Sequence, residues 1–339
     1  MKRIVFLYSE LAGYTVACLK ALQAVEGVEV HVCHWPVQAE APFDLGALPF
    51  RTQPREALDR EGLARWVEEA APDLLLLSGW MDADYVQVAR RWRERIPVVL
   101  TMDNWWTGGW KQRLAVAVSP WHLRRVYSRA WVPGEPQRTF ARKLGFRDVA
   151  TGFYCADVPA FDRAWEERAP EQRLLYIGRY LPFKGVAELW AAFAELADEF
   201  PGWTLDCIGA GDGWEDRFLH PQIQHHGFVQ PADLTPFLSR AACAIVPSRR
   251  EPWGVVVHEL AAAGLPLIVS DAVGAAEQFV APGRNGWVYP AGDGAALKAA
   301  MREAMTATDR EAMGQASRDL ACSWTPEKWA ARALEFLAP

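Results

Sequence analysis

Glu251 and Glu259 stand in one compact run, residues 247–264, on either side of a Pro-Trp-Gly turn and the start of a new segment. The apolar residues 243–246 before them read as a buried parallel strand. Residues 254–263 read as a helix closed by Gly264, with Pro266 barring its continuation. Strand, tight loop and helix follow one another directly. A helix start of this kind offers unpaired backbone N–H groups and the positive end of a dipole, which suits a phosphate. Gly254 has no side chain to hold such a ligand away. Glu251, in the loop, can meet a polyhydroxylated ligand. Glu259, about a turn and a half into the helix, is placed to meet a ribose.

This run, P-S-R-R-E-P-W-G-V-V-V-H-E-L-A-A-A-G, resembles the donor-site signature of retaining glycosyltransferases of the GT-B architecture, the family 4 (group 1) type. The resemblance implies that Glu251 contacts hydroxyls of the transferred sugar and Glu259 the ribose of the nucleotide. It implies that Gly254, Val255 and Val256 give backbone amides to the diphosphate and sugar. A second element, Gly178-Arg179 followed by Lys184-Gly185, resembles the family's G-R…K-G element, whose cations hold the diphosphate. The physics agrees. Breaking a sugar–phosphate bond releases an anion, and fixed cations stabilise the charge as it develops. Arg179 and Lys184 can balance a diphosphate leaving group without a metal, so no cofactor is expected.

Further positions fit the same family. The turn Gly209-Ala210-Gly211-Asp212-Gly213 resembles a glycine-rich loop beside the nucleotide, and His226-Gly227-Phe228-Val229 resembles the segment whose backbone reads the base. Gly274 stands where the family usually has paired glycines. Ala156-Asp157 resembles an interdomain segment that here lacks its Asn-Gly. The likeness covers nearly all of residues 130–339.

The amino-terminal half departs more. Where the family carries a glycine pair after its first strand, this chain has Gly13 alone, either a close approach to phosphate or a plain turn. After the strand 98–101 the family often has a histidine; here Met102-Asp103-Asn104 follow. Asp103 is either a sugar or acceptor contact or a helix cap. Trp105, Trp106 and Trp110 follow at once. A tryptophan-rich rim suits a carbohydrate acceptor, while the chain's 17 tryptophans also have cores to fill. Asp82-Ala83-Asp84 mimics a metal-binding Asp-x-Asp but begins a helix, where acids favour the dipole. No metal site is expected there or elsewhere.

These residues need elements to hold them. Residues 1–150 alternate strands (4–8, 28–34, 74–77, 98–101, 130–132) with helices (14–23, 55–71, 85–95, 111–127, 135–144). The alternation restarts after 173 with strands 174–177, 204–208, 244–246, 267–269 and 286–289. Such βαβ alternation argues two Rossmann-like, doubly wound parallel sheets, the α/β GT-B plan of two domains facing across a cleft. The expected division is an acceptor-side domain (1–150), a linker (151–173), a donor domain (174–322) and a C-terminal helix (323–339) that packs back toward the first domain. At 339 residues, 51% hydrophobic, two cores can be filled.

Six cysteines without a C-x-x-C pair read as small buried hydrophobes of a reducing compartment. With no apolar run of membrane-spanning length and no signal core, a cytoplasmic protein is expected. The net charge of −6 hides an asymmetry, for residues 84–129 carry nine basic and three acidic residues. That basic face, with Arg90, Arg91, Arg93 and Arg95 on one helix, is either solvated or a peripheral contact with an anionic membrane. No recognition motif points to nucleic acid. The expected activity is retaining transfer from a nucleotide-diphosphate sugar to a carbohydrate or lipid-linked acceptor. A nucleotide-sugar epimerase of the same fold and a non-catalytic nucleotide-sugar-binding subunit are the alternatives.

Overall fold

The computed structural model of the chain describes residues 1–36 and 47–338. The chain divides into two compact units, Met1–Cys155 with Pro326–Pro339, and Ala156–Thr325.

The first unit is built on strands β1 (Lys2–Tyr8), β2 (Val28–His34), β3 (Arg51–Pro54), β4 (Leu74–Ser78), β5 (Val98–Thr101), β6 (Arg129–Trp131) and β7 (Val149–Ala150). They lie in the order β3-β2-β1-β4-β5-β6-β7, paired in parallel throughout. Helices α1 (Gly13–Gln23), α2 (Arg60–Ala70), α3 (Ala83–Trp92), α4 (Trp110–Val118) and α5 (Glu135–Lys143) connect them. The run Leu74 to Leu77 is apolar at every position because helices cover both faces of such a sheet, and all four leucines are buried.

The second unit repeats the plan with β8 (Arg173–Ile177), β9 (Thr204–Ile208), β10 (Ile223–His225), β11 (Cys243–Val246), β12 (Leu267–Ser270) and β13 (Gly286–Tyr289). Their order, β10-β9-β8-β11-β12-β13, is again all parallel. Its helices are α6 (Asp162–Glu166), α7 (Val186–Ala194), α8 (Thr235–Arg240), α9 (Val255–Ala262), α10 (Ala276–Phe279), α11 (Gly294–Thr306) and α12 (Arg310–Cys322).

Several elements differ from the sequence reading. The helix expected over 55–71 begins only at Arg60, because Asp59 caps it by accepting from Gly62 N at 2.7 Å. The residues just before it form strand β3 and a 3-10 turn. The helix expected over 111–127 stops at Val118, ahead of Pro120, and a 3-10 turn covers Leu123–Arg125. Residues 151–173 hold a 3-10 turn over Val158–Phe161 and helix α6. Helix α12 and strand β10 went unread.

Asp82 caps α3, accepting from the N–H groups of Asp84 and Tyr85 at 2.9 and 3.1 Å. Arg55 pairs with both Asp82 (2.9 Å) and Asp84 (2.7 Å). Burial is the largest single effect and would raise the Asp82 carboxyl, but the hydrogen bonds from Arg55, Tyr85 N–H and Trp35 together with the Arg55 charge outweigh it and hold the group below its ordinary pKa.

The terminal helix α13 (Pro326–Glu335) completes the first unit by lying on α1. Trp329 is its anchor. The indole is buried, stacks on Phe6 at 6.2 Å, meets Trp131 at 4.8 Å and donates Nε1–H to the Phe153 carbonyl. Trp329→Ala removes a large side chain from a closed site, and losses of this kind are about 3–5 kcal/mol. Urea denaturation monitored by far-UV circular dichroism should show the first unit destabilised by that amount.

Candidate active site

Strand order in the second sheet reverses between β8 and β11, and ligands of such sheets bind at the carboxyl ends of the strands where the order reverses. The two loops leaving those ends are locked together. The Phe183 carbonyl accepts from Arg249 N at 2.8 Å and Arg250 N at 3.3 Å. Gly185 sits at φ +69°, and a Cβ there would lie 2.1 Å from the Pro247 carbonyl oxygen. Only glycine permits both the left-handed backbone and that approach. The side chains cross the same gap. Lys184 Nζ pairs with Glu251 Oε2, and Ser248 Oγ donates to that oxygen at 3.4 Å. The lysine and glutamate side chains are 18% and 14% exposed, so the pair is largely withdrawn from water without being sealed. Arg249 also pairs with Glu188 of α7.

On its other side the Glu251 loop is stitched to the residues after β12. Glu251 N donates to Ala272 O (3.1 Å), Gly274 N to Glu251 O (3.1 Å) and Ala275 N to Trp253 O (2.8 Å). A Cβ on Gly274 would lie 2.3 Å from the Pro252 carbonyl, so the single glycine falls where the approach is tightest. Gly254 takes φ +88°, with Glu251 Cγ 2.8 Å from where its Cβ would be, and α9 starts at Val255. Gly254, Val255 and Val256 thus present the first turn of a helix right behind Glu251, and Trp253 in the turn is buried.

Arg179 follows β8, its carbonyl accepting from Tyr176 Oη at 2.9 Å. Three short segments meet around it. Tyr180 N donates to Ala210 O at 2.8 Å, Gly213 N to Tyr180 O at 2.9 Å, and Gly209 N to Gly227 O at 2.7 Å. Gly209, the glycine-rich turn and Phe228-Val229 therefore share one rim with Arg179. Phe228 is 36% exposed there. All the donor-side residues read from sequence beyond Gly13 stand in this second unit. Ser248 and Glu188 were not read, since a lone serine or a helix glutamate carries no spacing signal.

Gly13 opens α1, and a Cβ on it would meet nothing within 4 Å. Asp103, just past β5, accepts from Tyr154 Oη at 3.3 Å. Tyr14, next to Gly13, meets Tyr154 edge-on at 5.8 Å. Gly13 and Asp103 are thus linked through two tyrosines that sequence reasoning missed. Burial, helped by Asp103, holds the Tyr154 hydroxyl well above its ordinary pKa. Trp105 gives its carbonyl to Gln112 Nε2 at 2.7 Å. Trp106 packs on Phe140 at 5.7 Å and carries Lys143 Nζ 4.9 Å from its ring.

Glu259 projects from α9, half-buried, and burial with the neighbouring Asp157 raises its carboxyl to about 7. Beside it His258 is fully buried. Its Nδ1 accepts from Ala156 N at 3.0 Å, so Nε2 is the protonated nitrogen and donates to Ala321 O at 3.0 Å. Burial pushes it down to about 4. The two act with opposite sign. A carboxyl whose folded pKa is raised stabilises most below the unfolded value of about 4.3 and loses that contribution as pH rises through 7. A histidine whose folded pKa is depressed stabilises above about 6.5 and loses that contribution as pH falls through 4. Glu259→Gln removes the first effect alone. Relative to wild type, its denaturation free energy should gain with rising pH between about 4.3 and 7, by up to a few kcal/mol. Equal pH profiles would place the Glu259 carboxyl in an ordinary aqueous setting.

The family model for "Glycosyl transferases group 1" matches residues 157–320. The chain is 29% identical over 255 residues to glycogen synthase of Mycobacterium tuberculosis, covering 69% of this chain and 60% of that protein. The chain therefore spans less than two thirds of that relative's length. Among solved structures it is similar to sucrose-phosphate synthase from Thermosynechococcus elongatus, with a TM-score of 0.74 and 20% identity over 99% of this chain and 98% of that one. It is likewise similar to Anabaena HepE in complex with UDP-glucose, with a TM-score of 0.73 and 18% identity over the whole of both chains. These likenesses show the fold, two Rossmann-like units of the GT-B type. The loops of Arg179, Lys184, Glu251 and Glu259 all lie inside the matched span, so the likeness to the group 1 glycosyl transferases falls on the second unit and its candidate site.

Proposed function

We propose that the protein is a retaining glycosyltransferase that moves a sugar from a nucleotide-diphosphate sugar to a hydroxyl of a carbohydrate or lipid-linked acceptor. The observation that carries this reading is the ion pair of Lys184 with Glu251 at the switch point of the second sheet, directly ahead of the α9 helix start. A diphosphate and the sugar attached to it need a cation and a hydroxyl-binding carboxylate side by side, and this pair supplies both. The match of residues 157–320 to the group 1 family model and the UDP-glucose complex of the similar Anabaena protein support the donor class.

In this reading Arg179 and Lys184 hold the leaving diphosphate, and Glu251 orients the sugar. Glu259 receives the ribose, and Gly254, Val255 and Val256 meet the phosphates with their N–H groups. Phe228 and Val229 border the base, with Gly209 and Gly274 keeping the rim open. Acceptor determinants belong to the first unit, with Asp103, Trp105 and Trp106 the candidates and Gly13 reserved for donor phosphate. The acceptor oxygen attacks the anomeric carbon on the face from which the diphosphate departs. The sugar–phosphate bond breaks, the new glycosidic bond forms, and the acceptor's proton passes to the departing phosphate oxygen. The products are the glycoside and the nucleoside diphosphate, with configuration retained. Two cations suffice for the leaving charge, so we propose a reaction that needs no metal.

The test uses UDP-glucose as the first donor, with UDP- and GDP-sugars in parallel. Slow donor hydrolysis without acceptor should be detectable as released nucleotide and should persist in excess EDTA. Arg179→Ala and Lys184→Ala should each lower it about a hundredfold or more. By calorimetry, Glu251→Ala should weaken the sugar nucleotide and spare the free nucleotide, whereas Glu259→Ala should weaken both. Binding without turnover of any donor would instead identify a non-catalytic nucleotide-sugar binder.

A further inference from the structure

Helix α4 of the first unit is turned inside out. None of its residues is buried. Ala115 and Val116 rest on the unit's core, while Trp110, Leu114 and Val118, spaced four apart, stand 71%, 55% and 43% exposed. Trp121, just past the helix end, is 67% exposed. At 100° per residue the three helix positions fall within one quadrant, with Val116 opposite and Ala115 to the side. An isolated exposed apolar residue is ordinary; a continuous stripe with two indoles is not.

The charge around the stripe is one-sided. From residue 104 to residue 134 the chain carries five Lys or Arg and no Asp or Glu. Lys111 and Arg113 flank the stripe on its two sides, and exposed Arg124 and Arg125 follow Trp121. The helix is also held rigidly. Gln112 Oε1 accepts from Thr107 N at 2.7 Å, Arg113 Nε donates to Gly108 O at 2.8 Å, and Ser119 Oγ donates to Leu144 O at 2.6 Å. No helix among the described residues is long and apolar enough to cross a membrane. A helix with tryptophan and leucine on one outward face and basic residues along its edges has the chemistry of an interfacial anchor.

We infer that α4 with Trp121 is a docking surface for an anionic lipid bilayer, its apolar stripe entering the interface and Lys111, Arg113, Arg124 and Arg125 meeting the headgroups. The absence of any acid over this stretch selects a negatively charged partner, and the two exposed indoles select a surface with an apolar layer beneath it. This assignment differs from a contact through Arg90, Arg91, Arg93 and Arg95, which lie on or just after α3 and have no exposed apolar stripe beside them. It is independent of the proposed chemistry of the second unit.

Co-sedimentation of the full chain with vesicles tests it. Binding is expected to vesicles of phosphatidylcholine with a third phosphatidylglycerol, to be weak on pure phosphatidylcholine, and to fall in 1 M salt, where the Debye length is about 3 Å. Each cation contributes about fivefold, equivalent to about 1 kcal/mol. Replacing Lys111, Arg113, Arg124 and Arg125 by Gln should therefore cost a hundredfold or more in partition. Trp110→Ser with Trp121→Ser should also release the protein, with circular dichroism and melting unchanged since both rings are exposed. Replacing Arg90, Arg91, Arg93 and Arg95 by Gln should change partition far less than the α4 variants. The inference is overturned if the wild type ignores anionic vesicles at low salt, or if the α3 variant is the one that loses binding. It is also overturned if the protein self-associates in vesicle-free buffer and the tryptophan variant abolishes that association, which would give the stripe to a second copy of the chain.

Discussion

The approach of two backbone segments at the centre of the second sheet governs the candidate site. Gly185 lies against the Pro247 carbonyl, and Phe183 offers its own carbonyl to the two arginines that follow Ser248. A methyl group at residue 185 would push the loops apart. With them would go Lys184 from Glu251, because each side chain is carried by one of the two loops. The chemistry of the site therefore depends on a contact that contains no chemistry. This also explains why the charged pair can be mostly shielded at modest cost. Each partner compensates the other, Ser248 adds a hydrogen bond, and the partly open setting spares the full desolvation penalty of a buried ion pair.

The same geometry gives Glu251 two allegiances. Its backbone belongs to the neighbouring loop, through Ala272 and Gly274, while its carboxylate belongs to Lys184. A glutamate fixed at both ends is preorganised, which favours positioning a ligand over proton shuttling. Glu259 differs in kind. It stands on a helix beside Asp157, and its raised pKa records its burial and that neighbouring acid. The two carboxyls, alike in sequence, are set apart by their surroundings, one held by a cation and one by a helix in a drier place.

The candidate site of the second unit was legible in the sequence because it is built from contiguous residues under backbone constraint. Gly254, Gly274 and Gly185 must be glycine where they stand, so their spacing fixes the loop, and the loop fixes Glu251. Strand β11 and helix α9 appeared nearly to the residue for the same reason. The first unit was less legible. The Asp103–Tyr154 contact joins residues 51 apart in sequence, and nothing local marks such a pair. Strand β3 is half-exposed and contains a proline, so its sequence lacks the apolar run that revealed the other strands. Helix α12 was passed over for the opposite reason, since its polar composition resembled a connection until its inward face met α9 and α10.

Helix α4 shows the limit of reading periodicity. Apolar residues at i, i+4 and i+8 predict an amphipathic helix correctly, but the rule is silent on which face is turned inward. The ordinary assumption buries Trp110, Leu114 and Val118. The structure instead rests the helix on the small side chains Ala115 and Val116, and ties its ends with Gln112 and Ser119. Small residues allow a close fit to the core, and the polar ties make that orientation unique. The larger apolar groups are then left outside, a cost in water that a soluble surface would not normally retain. An environment that takes up both indoles and the surrounding positive charge removes that cost, and the tryptophans here stand where such an environment would meet the protein.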